Sequence, residues 1–183
     1  MKKKIILGIV GFFILIGIIG AIGGGSQKPQ KVGESVTTQS NNQPSPTPQQ
    51  DVYKIGDKVQ LGKVILTVNK VETSESGQYT KPSEGNHWVD LNLTIENTGS
   101  TQEYVTTLGQ MFVIDDQNNQ YQVTVTAKRL ANPGSTGLDG AVIAGAKKTD
   151  WVGFEVPKTA KGLKFQYNAS FYSNKKILVD LGI

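Results

Sequence analysis

The residue types that most often carry enzyme chemistry are scarce in this chain. Histidine occurs once, as His87, and cysteine does not occur, so thiolate chemistry, disulfides, thiolate zinc sites and histidine-rich metal sites are excluded. His87 directly precedes a stretch of alternating apolar residues, where a hydrogen-bonded or solvated ring is the expected role. Neither a G-x-S-x-G motif nor a phosphate-binding loop is present. We therefore predict no catalytic residues, no cofactor and no enzymatic activity.

One cluster of side-chain oxygens has the composition of a calcium loop. Asp115 and Asp116 precede Gln117, Asn118 and Asn119. Their spacing does not match the EF-hand, which needs oxygens at alternating positions, a central glycine and a distal glutamate. Aspartate and asparagine also tolerate the backbone angles of tight turns. A hairpin turn is therefore expected here, and no metal site.

The two tryptophans, Trp88 and Trp151, are the candidate ligand-contact residues. Each alternates with apolar neighbours in a strand pattern, so each is expected on the face opposite the core. An exposed aromatic patch would mark a surface for an extracellular protein, peptide or glycan partner. The alternative is that both pack beneath the long connections at 74–86 and 128–146.

The net charge of +4 does not indicate a nucleic-acid partner. The excess comes from lysines near the N-terminus, at positions 2–4, 28 and 31, whereas acidic and basic residues are equal in number from Asp51 onward. A protein that binds phosphate backbones needs a basic surface on its folded part. We therefore predict no nucleic-acid binding.

Residues 1–25 are expected to form a membrane anchor. Three lysines precede 18 apolar residues, Ile5 to Ile22, which as a helix would span about 27 Å, close to the bilayer core of about 30 Å. The lysines favour the cytoplasmic side, which puts the rest of the chain outside the cell membrane. The alternative is a signal peptide cleaved after Gly23, which would release a secreted protein.

Residues 26–51 are expected to be a disordered linker. The segment is rich in Gln, Ser, Thr, Asn and Pro and lacks the apolar residues that would offset the entropy of ordering. It would act as a stalk between the membrane and the remainder of the chain.

Residues 52–183 show the alternation of half-buried strands. The clearest run is Trp88 to Glu96, in which Val89, Leu91, Leu93 and Ile95 alternate with polar residues. Turn-forming residues separate this run from others like it, and no helical period is convincing. We predict an all-β, monomeric domain, an antiparallel β-sandwich of immunoglobulin type, with a closed barrel as the second choice.

The order of these signatures resembles the domain of unknown function 4352 family. The matching features are Ile55-Gly56-Asp57, the strand ending in Asn97-Thr98-Gly99, Trp151 to Pro157, and a last strand from Ile177 to Leu181. The resemblance implies an immunoglobulin-like domain on extracytoplasmic proteins of bacteria and archaea. Many relatives are lipoproteins, and this chain differs in lacking the acylated cysteine. The family has no agreed activity, so no functional residue carries over.

Overall fold

The described part of the chain is almost entirely β-structure. The computed structural model describes residues 28–33, 51–131, 137–169 and 174–183. The strands of these residues are β1 (Gln30–Lys31), β2 (Val52–Lys54), β3 (Lys58–Leu61), β4 (Val64–Ser74), β5 (Asn86–Asn97), β6 (Glu103–Val105), β7 (Met111–Ile114), β8 (Gln120–Thr124), β9 (Gly140–Val142), β10 (Lys147–Pro157), β11 (Lys164–Asn168) and β12 (Lys176–Asp180). Two short helical segments are α1 (Thr107–Gln110), which is interrupted at Leu108 and Gly109, and α2 (Ala127–Leu130).

The strands are arranged as two sheets that are joined at one edge. The first has the order β1-β3-β4-β5-β10, and the second has the order β8-β7-β11-β12-β2. β8 also pairs with β10, where Thr124 lies opposite Gly153. β6 and β9 form a separate antiparallel pair. The prediction of an all-β sandwich is confirmed.

One apolar core lies between the sheets. Leu91 and Leu93 of β5 are fully buried, as the alternating pattern predicts. Phe154 of β10 and Phe165 of β11 belong to different sheets, and their rings meet edge to face with centroids 6.4 Å apart. The two sheets therefore pack on each other through their inner faces.

Two edge strands differ from the expectation for a purely antiparallel sandwich. β2 pairs with β12 in the parallel direction, with Tyr53 opposite Val179, so the antiparallel prediction is wrong for this pair. β1 lies within the expected linker, yet it pairs with β3. The Tyr53 hydroxyl donates to the Pro29 carbonyl at 2.8 Å, and Lys31 forms an ion pair with Asp57 at 3.1 Å. Part of the linker is therefore attached to the domain.

The expected membrane anchor at residues 1–25 lies outside the described residues, as do residues 34–50 of the expected linker. Among the residues that the structure does describe, no helix is long and apolar enough to cross a bilayer. The anchor and the remainder of the linker therefore stay predictions.

The outer face of the first sheet is partly covered, so Trp88 is buried although it lies on that face. Trp88 is on the face opposite Val89, but only 1% of its surface is exposed. It lies opposite Glu155 in the β5–β10 pair, and Glu155 Oε1 accepts hydrogen bonds from the Ser83 backbone N–H and the Asn86 side chain, at 2.9 and 2.8 Å. Trp88 is therefore not exposed. It packs beneath the β4–β5 loop, residues 75–85, which is the alternative expectation from the sequence.

Replacement of the two tryptophans by serine should have unequal effects. Trp88→Ser should lower the free energy of unfolding by roughly 3 kcal/mol or more, because it empties a buried site. Trp151 is half-buried, and Trp151→Ser should cost about 1 kcal/mol. Urea unfolding followed by circular dichroism measures both. Equal losses for the two variants would contradict the observed difference in burial.

Candidate binding site

The covered outer face presents three rows of side chains across β4, β5 and β10. The middle row consists of Glu72, Asp90 and Gly153, which are opposite one another in the strand register. On one side of this row, Trp88 of β5 lies opposite Glu155 of β10. On the other side, Trp151 of β10 lies opposite Asn92 of β5. The two tryptophans thus share a face of the sheet and flank a buried carboxylate.

Asp90 is the unusual member of the middle row. Only 2% of its surface is exposed, although it is on the face where alternation places water-facing residues. Its Oδ1 accepts a hydrogen bond from the Thr126 hydroxyl. Thr126 is itself fully buried and begins α2, where its hydroxyl oxygen accepts from the Arg129 backbone N–H at 3.4 Å. One hydroxyl therefore links the start of α2 to the sheet beneath it.

This contact requires glycine on the neighbouring strand. A Cβ at Gly153 would overlap the Thr126 side chain and lie 2.7 Å from Asp90 Oδ1. A second close approach joins the other covering segment to α2, because a Cβ at Gly77 would overlap Ala127 Cβ. The β4–β5 loop and α2 thus touch each other above the sheet.

A cavity of about 340 Å³ remains beneath these two segments. Its floor includes Asp90, Glu72 and Ser74 from the sheet, and its walls come from the β4–β5 loop and from α2 with Ala131. The volume lies within the range of small-molecule sites in proteins, about 300 to 1,000 Å³. We call this space the Asp90 cavity.

Burial is the main influence on the ionisation of Asp90. Desolvation raises the pKa of this carboxyl above its ordinary value, and the nearby Glu72 carboxylate acts in the same direction. The Thr126 hydrogen bond and the Lys128 ammonium act in the opposite direction but do not cancel the effect of burial. Asp90 Oδ2 accepts no hydrogen bond from the described residues. Because none of their fully buried side-chain polar atoms lacks a partner, this oxygen retains contact with solvent.

Glu72, the other carboxylate of the cavity, is held by two lysines. Its carboxylate oxygens contact Lys128 and, at 2.7 Å, Lys70, and these hydrogen bonds hold the pKa of Glu72 below its usual range. The Lys128 ammonium also lies 4.3 Å from the centre of the Trp151 ring. Trp151 therefore supports a cation–π contact at the edge of the cavity.

The other residues with potential chemistry lie away from this cavity and are satisfied by local contacts. The Asp115 carboxylate accepts hydrogen bonds from the backbone N–H groups of Gln117 and Asn119, from the Asn119 side chain and from the Tyr121 hydroxyl, which is the arrangement of a closed turn. Burial lowers the pKa of His87 below its ordinary value. In the described part of the chain, no three acidic or histidine side chains converge as metal ligands.

The sequence pattern singles out the two tryptophans as candidates but not the residues between them, and a ligand-contact role for the tryptophans stays a prediction. Alternation assigns Asp90 to a water-facing position, and it assigns Thr126 to the polar face of a strand that in fact ends at Thr124. The available signal was Gly153 within a strong strand pattern, because an interior strand glycine often marks the close approach of another segment.

Substitution of Asp90 should change how stability depends on pH. A carboxyl whose pKa is raised by folding stabilises the fold below its unfolded pKa, near 3.9, and this contribution is lost as the pH rises through the folded pKa. Asp90→Asn removes that loss, so its stability relative to the wild type should increase from pH 4 to pH 7. Urea unfolding at several pH values measures this.

Asp115→Asn is the matched control for this experiment. Hydrogen bonds from Asn119, Tyr121 and Gln117 hold the pKa of Asp115 below its ordinary value, so its stabilising contribution is present at neutral pH and is lost on acidification. Relative to the wild type, Asp115→Asn should therefore be weaker at pH 7 than at pH 4. The same trend in both variants would contradict the burial of Asp90.

Comparison with solved structures identifies several with the same overall fold. The yjhA protein of Bacillus subtilis aligns with a TM-score of 0.53 and 20% identity, over 71% of this chain and 99% of that one. A conserved hypothetical protein of Bacillus anthracis gives 0.51 and 18%, over 68% and 94%. The secreted protein MPT63 of Mycobacterium tuberculosis gives 0.51 and 14%, over 73% and 99%. At these identities, the similarity establishes the fold alone.

Comparison with curated proteins and with family models gives two results. No curated protein matches the chain. A model of the domain of unknown function (DUF4352) matches residues 53–177, which is most of the chain and nearly all of the sandwich. The protein therefore belongs to the DUF4352 family.

Proposed function

We propose that this chain is a membrane-tethered, extracytoplasmic binding protein whose immunoglobulin-like domain takes a small ligand in the Asp90 cavity without chemical conversion. The observation that carries the proposal is Asp90 itself. A carboxylate with 2% exposure and a single hydroxyl donor is largely desolvated, which opposes folding, and its second oxygen has no partner among the described residues and reaches solvent. A ligand that donates to this oxygen would offset the cost.

The cavity has the form of a binding site built on a rigid support. Its floor consists of two long neighbouring strands, β4 and β5, whereas its walls are a loop and a short helix, the elements that vary most easily between related proteins. Function in sandwich domains commonly resides in such additions to the scaffold. The cavity therefore suits recognition of a ligand that is particular to this protein.

The N-terminal sequence supports the tether. The three lysines and 18 apolar residues described above favour a single-pass segment with the domain outside the cell. The structural neighbour MPT63 is described as a secreted protein, which agrees with an extracytoplasmic domain. Cleavage after Gly23, with release of the protein, is the alternative.

A second candidate function is acid–base catalysis by Asp90 and Glu72. The two are cross-strand neighbours, and the pKa of Asp90 is raised whereas that of Glu72 is lowered, which is the division expected of a general acid and a carboxylate base. The lysines at Glu72 argue against it, because a carboxylate that is bound by two ammonium groups is a weak base and a weak nucleophile. Binding without conversion is therefore favoured.

Cell fractionation with one blocking variant tests the tether. Ala21→Leu removes a small residue that signal-peptide cleavage after Gly23 would require. If the segment is an uncleaved anchor, the wild type and Ala21→Leu should both be full length and both be in the membrane fraction. A shorter wild-type product in the medium, together with a full-length Ala21→Leu product, would contradict anchoring and favour secretion.

A further inference from the structure

The Asp90 cavity offers many hydrogen-bonding groups that the protein does not use. Besides Asp90 Oδ2, its lining includes hydroxyl and amide side chains that make no side-chain hydrogen bond within the described residues: Ser74, Ser76, Gln78, Tyr79 and Thr80. All five are neutral, and each can both donate and accept. A ligand with several hydroxyl groups could satisfy them together with the carboxylate.

The charges around the cavity favour a neutral ligand. Glu72 is already paired with Lys70 and Lys128, and Lys128 also acts on Asp90. The two carboxylates and the two ammonium groups balance. An anionic ligand would meet Asp90 at the floor, and a cationic ligand would meet Lys128 at the wall, so either would be repelled on one side.

The remaining surface of the cavity is apolar or aromatic. Ala127, Leu130 and Ala131 line the α2 side. The Tyr79 side chain stands at the rim with 84% of its surface exposed, although a free aromatic ring gains free energy when an apolar surface covers it. A suitable ligand therefore has hydroxyl edges and apolar C–H faces, and this combination is characteristic of pyranose rings.

From these three observations we infer that the Asp90 cavity binds a neutral saccharide of one or two rings. A ring hydroxyl donates to Asp90 Oδ2, the other hydroxyls bond to the side chains of the β4–β5 loop, and an apolar ring face covers Tyr79. This inference rests on the proposed binding function and adds the chemical class of the ligand to it.

The test is amide chemical-shift mapping of the full-length chain in a detergent without a sugar headgroup. The probes are maltose, cellobiose and N,N′-diacetylchitobiose, each titrated to tens of millimolar, with putrescine as a cationic probe. At least one disaccharide should shift amides of residues 74–80, 90 and 127–131, and putrescine should not. The disaccharide should be recovered unhydrolysed.

Two pairs of variants localise the binding. Asp90→Asn should weaken the affinity for the disaccharide about tenfold or more, because a charge-assisted hydrogen bond is lost. Tyr79→Ala should also weaken the affinity, and it should leave the fold intact because the Tyr79 side chain is exposed. The matched controls are Asp116→Asn and Tyr104→Ala, at an exposed carboxylate and at a 70% exposed tyrosine outside the cavity. Both should bind like the wild type.

The other possible outcomes distinguish failure of the saccharide inference from failure of the proposed binding function. Shifts of the cavity amides with putrescine alone would overturn the saccharide and retain a binding cavity. No shift with any probe would overturn both. Disaccharide shifts that lie elsewhere, or that persist unchanged in Asp90→Asn and Tyr79→Ala, would indicate adventitious surface binding and also overturn the inference.

Discussion

The hydrogen bond from Thr126 to Asp90 fixes the start of α2 on the outer face of the first sheet. It joins the first turn of α2 to the centre of β5, and it passes over Gly153 at a point where no side chain fits. The same hydroxyl oxygen accepts from the Arg129 backbone N–H, so one residue both caps α2 and joins its start to the sheet. Ion pairs of Lys128 with Glu72 and of Arg129 with Asp150 attach α2 further along. α2 contacts the β4–β5 loop at Gly77, and that loop is held separately by the hydrogen bonds of Ser83 and Asn86 to Glu155.

Burial of the Asp90 carboxylate lowers the stability of the fold, and this is easier to explain at a binding site than at a purely structural position. Desolvation of a carboxylate opposes folding, and a single hydroxyl donor compensates it only in part. An asparagine could accept the same bond from Thr126 without the charge. Stability is commonly lower at functional sites for this reason. A carboxyl group that is almost fully buried on a residue lining the cavity is the feature that distinguishes the outer face from an ordinary sheet surface.

The sequence predicted the inner faces of the sheets well and the outer face poorly. Alternation correctly placed Leu91 and Leu93 in the core, because burial on one face of a strand leaves a period of two in the sequence. The same rule assigns Trp88 and Asp90 to the other face, but it does not say what lies above that face. Their burial depends on the β4–β5 loop and α2, whose positions are set by tertiary contacts such as the one at Gly153.

The proposed site requires that Asp90 be a largely desolvated carboxyl group at the floor of the cavity, and the titration of Asp90 measures this. The side-chain carboxyl carbon of Asp90 can be followed by carbon-13 NMR across the acidic and neutral pH range. Because burial raises the pKa of Asp90, we expect a midpoint above the ordinary aspartate value of about 3.9. A midpoint at or below that value would show that water solvates the carboxylate, and it would contradict the covered outer face from which the proposed site is built.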